Sequence, residues 1–300
     1  DVLAAPETFH TPDGNLAVIA RAVSFFETDY FVLGADLERF QEKRATLLRK
    51  EPRPNKEIEH FRDSMNRGNA LAVWKLPVPR ALQLQGVLDG KLIFTLREDW
   101  QVPGGPALAR GALAALALQG TDAVHVGPVT LLYAPGPRAS VESVGVGRDA
   151  LYAAITENVI GAVHVFTPDG GGWDHRVLDL PGQGTAGIAT VNAYGPEAMF
   201  GFENYLTPPT VYFDNGDDAP APVKSLPARF DASGLVTEQF EAVSADGTRV
   251  PYFVTRPKTL SGPAPTLLYG YGGFEVSLTP SYSASVGRVW LARGGIYVVA

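Results

Sequence analysis

Tyr269, Tyr271 and Phe274 stand among Gly270, Gly272 and Gly273 in the stretch Thr266-Leu-Leu-Tyr-Gly-Tyr-Gly-Gly-Phe274, where the chain concentrates groups able to do chemistry. Glycines let a backbone turn sharply and approach a ligand closely. A tyrosine in such a turn offers a phenolic donor on a rigid ring. The apolar run ahead of the turn, preceded by Pro265, reads as a buried strand. Two readings follow from the spacing. In one, the turn is a tight strand-to-loop connection and the tyrosines are packing. In the other, the turn lies at the carboxyl end of a parallel strand, where open α/β sheets bind ligands, and a phenol helps to stabilise an oxyanion. Spacing alone leaves both open.

Other chemistry is sparse. There is no Gly-x-Ser-x-Gly elbow and no Walker-type phosphate loop, so a serine nucleophile is not visible. Gly145-Val-Gly-Arg-Asp-Ala150 matches a relaxed dinucleotide-binding pattern, which has meaning only between a strand and a helix. Residues 151–156 read instead as a second strand, so these glycines are assigned to a hairpin turn and no nucleotide cofactor is expected. The five histidines, His10, His60, His125, His164 and His175, lack the spacing of a helical metal site. His125 and His164 fall in strand-like runs and are expected to be structural and hydrogen-bonded. No metal site is expected.

The 300 residues carry a formal net charge of −7, with 45% hydrophobic and 19% charged residues. That composition fits one large globular domain or two ordinary ones. It disfavours nonspecific binding to nucleic acid or anionic membranes, both of which need clustered Lys and Arg. Without cysteine there is no disulfide and no thiolate chemistry. The longest apolar runs fall far short of the ~18 residues that span a bilayer, and no signal peptide opens the chain. The expected compartment is the cytoplasm, a periplasmic form with its signal peptide removed being the alternative. Because residues 294–300 read as a buried strand without a polar cap, the chain is expected to be part of a longer protein.

Up to about residue 228 the texture is all-β. Strand-like runs cover residues 16–23, 25–33, 70–76, 91–96, 129–133, 141–146, 150–156, 162–166, 176–180, 188–191, 198–202 and 210–213. Asp89-Gly90, Asp169-Gly170 and Asn215-Gly216 are hairpin-grade turns. Asp169 and Asn215 lie 215 − 169 = 46 residues apart with about four strands between them, the size of one propeller blade. Periodicity leaves a propeller level with a sandwich or barrel. Residues 36–50 permit an amphipathic helix, and residues 107–118, rich in alanine, permit either a short helix or a covered strand. Prolines 220, 222 and 227 mark a linker-like segment. After it, residues 235–243 and 250–255 form a hairpin around Asp246-Gly247. The strands at 266–269 and 296–300, with a crossover helix within 283–293, then indicate a parallel α/β sheet.

Four segments occur in the order and spacing of prolyl oligopeptidases: Phe230-Asp-Ala-Ser, Ser244-Ala-Asp-Gly-Thr-Arg-Val-Pro-Tyr-Phe253, Leu267-Leu-Tyr-Gly-Tyr-Gly-Gly-Phe274 and Gly294-Gly-Ile-Tyr-Val-Val-Ala300. Leu278-Thr-Pro-Ser-Tyr282 follows the turn as in that family, and Tyr205-Leu-Thr-Pro-Pro-Thr-Val-Tyr212 resembles its last propeller blades. The resemblance implies a mainly β chain, with a portion of a seven-bladed propeller at 1–228 followed by the start of an α/β-hydrolase (peptidase) domain at 229–300. It implies a serine endopeptidase that cleaves short peptides on the carboxyl side of proline through an acyl-enzyme. The catalytic Ser, Asp and His would lie beyond residue 300, so this chain alone is expected to be inactive. Tyr271 matches the family's oxyanion donor and Phe274 an aromatic wall of the proline pocket. The propeller would filter short proline-containing peptides by size, and no cofactor is implied. The alternative is a propeller binding module whose α/β segment is structural only.

Overall fold

A computed structural model of the protein describes residues 4–11, 14–33, 73–119, 125–216, 219–274 and 276–300. The expected helix at 36–50 lies outside the described residues. The chain divides into two compact units, residues 1–134 with 193–195, and residues 135–192 with 196–300.

Among the described residues, the first unit holds two four-stranded antiparallel sheets. One runs in order through β1 (Ala4–Thr11), β2 (Gly14–Ala22), β3 (Thr28–Leu33) and β4 (Val73–Lys75). The other contains β5 (Leu82–Leu88), β6 (Lys91–Leu96), β9 (Leu113–Gln119) and β10 (His125–Tyr133), with the short ribbon of β7 (Trp100–Gln101) and β8 (Ala107–Leu108) between β6 and β9. Alternation on β2 sends Leu16 and Val18 into a core shared with Val32, Leu92, Phe94 and Leu116. Tyr30 donates from its hydroxyl to the Leu82 carbonyl at 3.1 Å, so a buried phenol ties β3 to β5. The alanine-rich segment at 107–118 contains no helix: it is β8, a turn at 109–112 and most of β9. Alanines 112, 114 and 115 are buried, and pairing with β6 and β10 outweighs alanine's helix propensity.

Asp29 on β3 is 2% exposed and is met by three cations. Lys75 Nζ lies 2.6 Å from its carboxylate, Arg80 Nε lies 3.0 Å away, and Arg21 completes the set. Hydrogen bonds from Lys75 and Arg21, and then Arg80, hold this carboxyl well below the usual carboxylate range against the opposing effect of burial.

The second unit contains two further antiparallel meanders. They are β11 (Ala139–Val146) to β14 (Gly172–Val177), through β12 (Leu151–Glu157) and β13 (Ile160–Asp169), and β15 (Thr185–Val191) to β18 (Ala221–Ser225), through β16 (Ala198–Glu203) and β17 (Thr210–Asp214). Tyr152, Val163, Val165, Phe200, Phe202 and Tyr212 fill the space between them. Gly145 and Gly147 lie at the end of β11 and in the turn to β12, so the hairpin assignment stands. These four-stranded meanders are the blade units of a β-propeller, and among the described residues the strands do not form a closed barrel. Asp169 and Asn215 open the same connection, from third to fourth strand, in successive meanders. Their offset is therefore the blade period, although the stretch between them straddles two sheets. The linker-like segment also contains a strand: β18, with Pro222, is the outer edge of its sheet, where a missing N–H is tolerated.

The last sheet has the order β19-β20-β22-β21, with β19 (Leu235–Val243), β20 (Arg249–Pro257), β21 (Thr266–Tyr269) and β22 (Ile296–Val299). β20 and β22 are antiparallel while β21 and β22 are parallel, so the sheet is mixed. The crossover between the parallel pair is the helix α1 (Ala284–Val289) and a 3-10 turn (Leu291–Arg293). Ser283 caps α1 by accepting from the Val286 N–H, and Trp290 Nε1 donates to the Ile296 carbonyl at 2.8 Å. A Cβ on Gly287 would lie 1.9 Å from the Phe230 ring, so only glycine lets the helix seat there. Tyr205, Phe253 and Val299 form the core under this sheet, joined by Val159 and Ile160 from the β12–β13 hairpin. Val159 holds φ +60°, a costly backbone for a β-branched residue, and that packing supports it. Thr185 donates to the Pro280 carbonyl at 2.7 Å, and Glu203 accepts from the Tyr282 N–H at 2.8 Å.

The Asp29 cluster gives a testable stability signature. Asp29→Asn is expected to lower the thermal midpoint by several degrees at neutral pH. A carboxyl held below its unfolded pKa of about 3.9 contributes fully above that value and loses its contribution as pH falls further. The difference between wild type and variant should stay constant from about pH 8 to about pH 5 and shrink below about pH 4. A difference that grew on acidification, measured by calorimetry, would contradict this role.

Candidate active site

The turn begins where β21 ends. Tyr269 pairs with Val299 in the parallel ladder, and the Ala300 N–H donates to the Tyr269 carbonyl at 3.0 Å, which carries the pairing one step past the strand. Gly270 to Phe274 then leave the sheet at its carboxyl end. The Val276 N–H returns to the Gly273 carbonyl at 3.2 Å, closing a tight turn.

Within it, Tyr271 is 46% exposed and its ring folds over its own turn, so that a Cβ on Gly273 would lie 3.0 Å from the hydroxyl oxygen. Phe274 is 91% exposed and has φ +57°. A left-handed backbone costs a residue with a Cβ roughly 1–2 kcal/mol. Such strain, with a large apolar ring offered to solvent, is often found at ligand-contacting turns. The structure thus places Tyr271 and Phe274 in one turn, the phenol against Gly273 and the phenyl ring open. Tyr269 is 49% exposed, and Leu267 and Leu268 are exposed too. The expectation of a buried β21 is therefore corrected: β21 is the outer strand of its sheet, and both its faces are open among the described residues.

His164 Nδ1 and His175 Nε2 approach to 3.0 Å across β13 and β14, beside the Phe166 ring. Burial and His175 push His164 down to about 4, so it is neutral at physiological pH. Among the described residues no group of three or more His, Cys, Asp or Glu could hold a metal ion. A cleft of about 640 Å³ runs along β19, lined by Gly182, Gln183, Asn204, Leu206 and residues 235–240, and none of the turn's residues lines it. No described helix is long and apolar enough to cross a membrane.

No family model matches the chain. An uncharacterised peptidase of Sinorhizobium fredii is 36% identical over 230 residues, which are 75% of this chain and 32% of that protein. A prolyl endopeptidase of Elizabethkingia miricola is 40% identical over 127 residues, 41% of this chain and 18% of its own. Among solved structures, a post-proline cleaving enzyme from Rickettsia typhi matches with a TM-score of 0.68 at 26% identity, covering 99% of this chain and 39% of that one. The chain belongs to the prolyl oligopeptidase family. It spans about a third of the length of the curated relatives it matches first.

In this prolyl oligopeptidase family chain the turn is exposed and lies beside an edge strand among the described residues. The residue that sequence reasoning passed over is Gly273. The signal was present as a second consecutive glycine after Tyr271, but which neighbour it accommodates is a matter of three dimensions. The exposure of Phe274 yields a stability expectation. Phe274→Ala removes a ring that buries almost nothing, so unfolding free energy should change by no more than about 0.5 kcal/mol, the range for surface substitutions. A loss of about 3 kcal/mol, the cost of a core phenylalanine, in denaturant titration would place the ring in a core.

Proposed function

We propose that this chain forms part of a serine endopeptidase that cleaves short peptides on the carboxyl side of proline. In this reading residues 1–228 are propeller and residues 229–300 open the peptidase domain. The observation that carries it is the Tyr-Gly-Tyr-Gly-Gly-Phe turn at the carboxyl end of a parallel strand, with a half-exposed phenol and an exposed phenyl ring. Relatives named as prolyl endopeptidases support the same reading.

The chemistry is acyl transfer to a serine elsewhere in the complete protein, with histidine as base and then acid, and an aspartate orienting it. As the serine oxygen adds to the scissile carbonyl, negative charge develops on the carbonyl oxygen. Tyr271 donates its phenolic O–H to that oxygen. The donor acts on the transition state more than on the substrate, so it lowers the barrier without tightening binding. Phe274 forms a flat apolar wall for a proline ring, which has no donor to satisfy. Short proline-containing peptides are the substrates.

In the complete protein, Tyr271→Phe should lower kcat by roughly 10² to 10³ with KM nearly unchanged, the range for loss of one oxyanion donor. Tyr269→Phe, on the strand before the turn, should stay within a few-fold. Phe274→Ala should raise KM and weaken the preference for proline by about 1–3 kcal/mol. Steady-state kinetics on proline, alanine and arginine substrates reads all three. Full activity of Tyr271→Phe would remove the donor assignment. A complete protein that binds proline peptides without hydrolysing them would favour a binding module instead.

A further inference from the structure

Gly273, two residues after Tyr271, lies directly against that residue's ring. A Cβ there would lie 3.0 Å from the Tyr271 hydroxyl oxygen, 3.1 Å from Cζ and 3.5 Å from Cε1. Apart from its chain neighbours, a Cβ on Gly272 would meet nothing within 4 Å, and one on Gly270 nothing closer than the Ala300 carbonyl oxygen at 3.6 Å. Neither Gly272 nor Gly273 has a positive φ, so neither glycine is required by backbone conformation. The three atoms nearest to a Cβ at 273 all belong to the phenol of Tyr271, so the missing side chain makes room for that ring.

That contact acts on a ring which is otherwise half exposed. A tyrosine reaching into solvent samples several rotamers, and each must be given up before its hydroxyl can act. The bare backbone of Gly273 lets the ring lie down against the turn and restricts it in advance. We propose that Gly273 is the positioning residue for the oxyanion donor, the flat seat that sets where the Tyr271 hydroxyl stands. The inference deepens the reading of Tyr271 as donor and rests on it. Its geometry is demanding. An oxyanion donor works at about 2.7–3.1 Å from the developing oxyanion, a window of a few tenths of an ångström. A methyl group at 273 would sit inside the ordinary contact distance of about 3.5–4.0 Å between carbon atoms. The ring would have to move by about as much as the window is wide.

The test uses the complete enzyme in five forms: wild type, Gly273→Ala, Gly272→Ala, Tyr271→Phe and the double variant Gly273→Ala/Tyr271→Phe. Gly273→Ala is expected to lower kcat by about tenfold or more, bounded by the loss in Tyr271→Phe, with KM within about twofold because the substrate ground state does not use the donor. Gly272→Ala, with nothing within 4 Å of the new methyl apart from its chain neighbours, should lose much less than Gly273→Ala. The double variant should be no slower than Tyr271→Phe alone, because a seat has no effect once the hydroxyl is gone. A general structural defect would instead multiply the two losses and lower the thermal midpoint. The inference is overturned if Tyr271→Phe is slow while Gly273→Ala keeps wild-type kcat. It is also overturned if Gly273→Ala costs the same factor on top of Tyr271→Phe, or fails to fold where Gly272→Ala folds. Full activity of Tyr271→Phe is a separate result, which removes the donor and its seat together.

Discussion

Parallel pairing of β21 with β22 is the constraint on which the candidate site depends. Two parallel neighbours cannot be joined by a tight hairpin, so the chain must leave β21 at its carboxyl end, travel over the sheet and re-enter beside the start of the strand. The capped helix α1, the 3-10 turn and the Trp290 to Ile296 hydrogen bond accomplish the return. The departure is the glycine and tyrosine turn. Its place at a strand's carboxyl end follows from the topology, and that is the end where open α/β sheets leave room for ligands.

Packing then decides how rigid the surroundings are. The hairpin tip at Asn158 and Val159 reaches the sheet of β19 to β22. Val159 enters its core, and the Gln239 amide donates to the Asn158 carbonyl at 2.7 Å. Arg138 on the turn before β11 pairs with Glu241 on β19, which also pairs with Arg249 at 3.1 Å. These contacts hold the meanders of the second unit and the mixed sheet as one packed body. The turn itself is less supported, with Phe274 in solvent and the Tyr271 ring resting on its own backbone.

Much of this was legible from residue order, for reasons that differ by element. The hairpin around Asp246-Gly247 carries a strong local signal in its turn dipeptide, the crossover helix was expected from the two apolar strands that flank it, and both are present. β1 was missed because Pro6 and its polar neighbours hide an edge strand, which needs no continuous apolar face. β18 was hidden the same way. The openness of β21 was misread because an apolar, non-alternating run says that a strand can be covered, not that it is. Tyr271 and Phe274 could be located by their turn. The seat at Gly273 could not, because the spacing of a glycine and a tyrosine does not say which way the ring folds.

The most direct measurement is the structure of the complete protein with a peptide aldehyde ending in proline. If the proposed serine adds to the aldehyde, the hemiacetal oxygen reproduces the position of the oxyanion. The account predicts the Tyr271 hydroxyl about 2.7–3.1 Å from that oxygen, with its ring still against Gly273 and Phe274 against the proline ring. A hemiacetal oxygen held by other donors, with Tyr271 turned away, would contradict it.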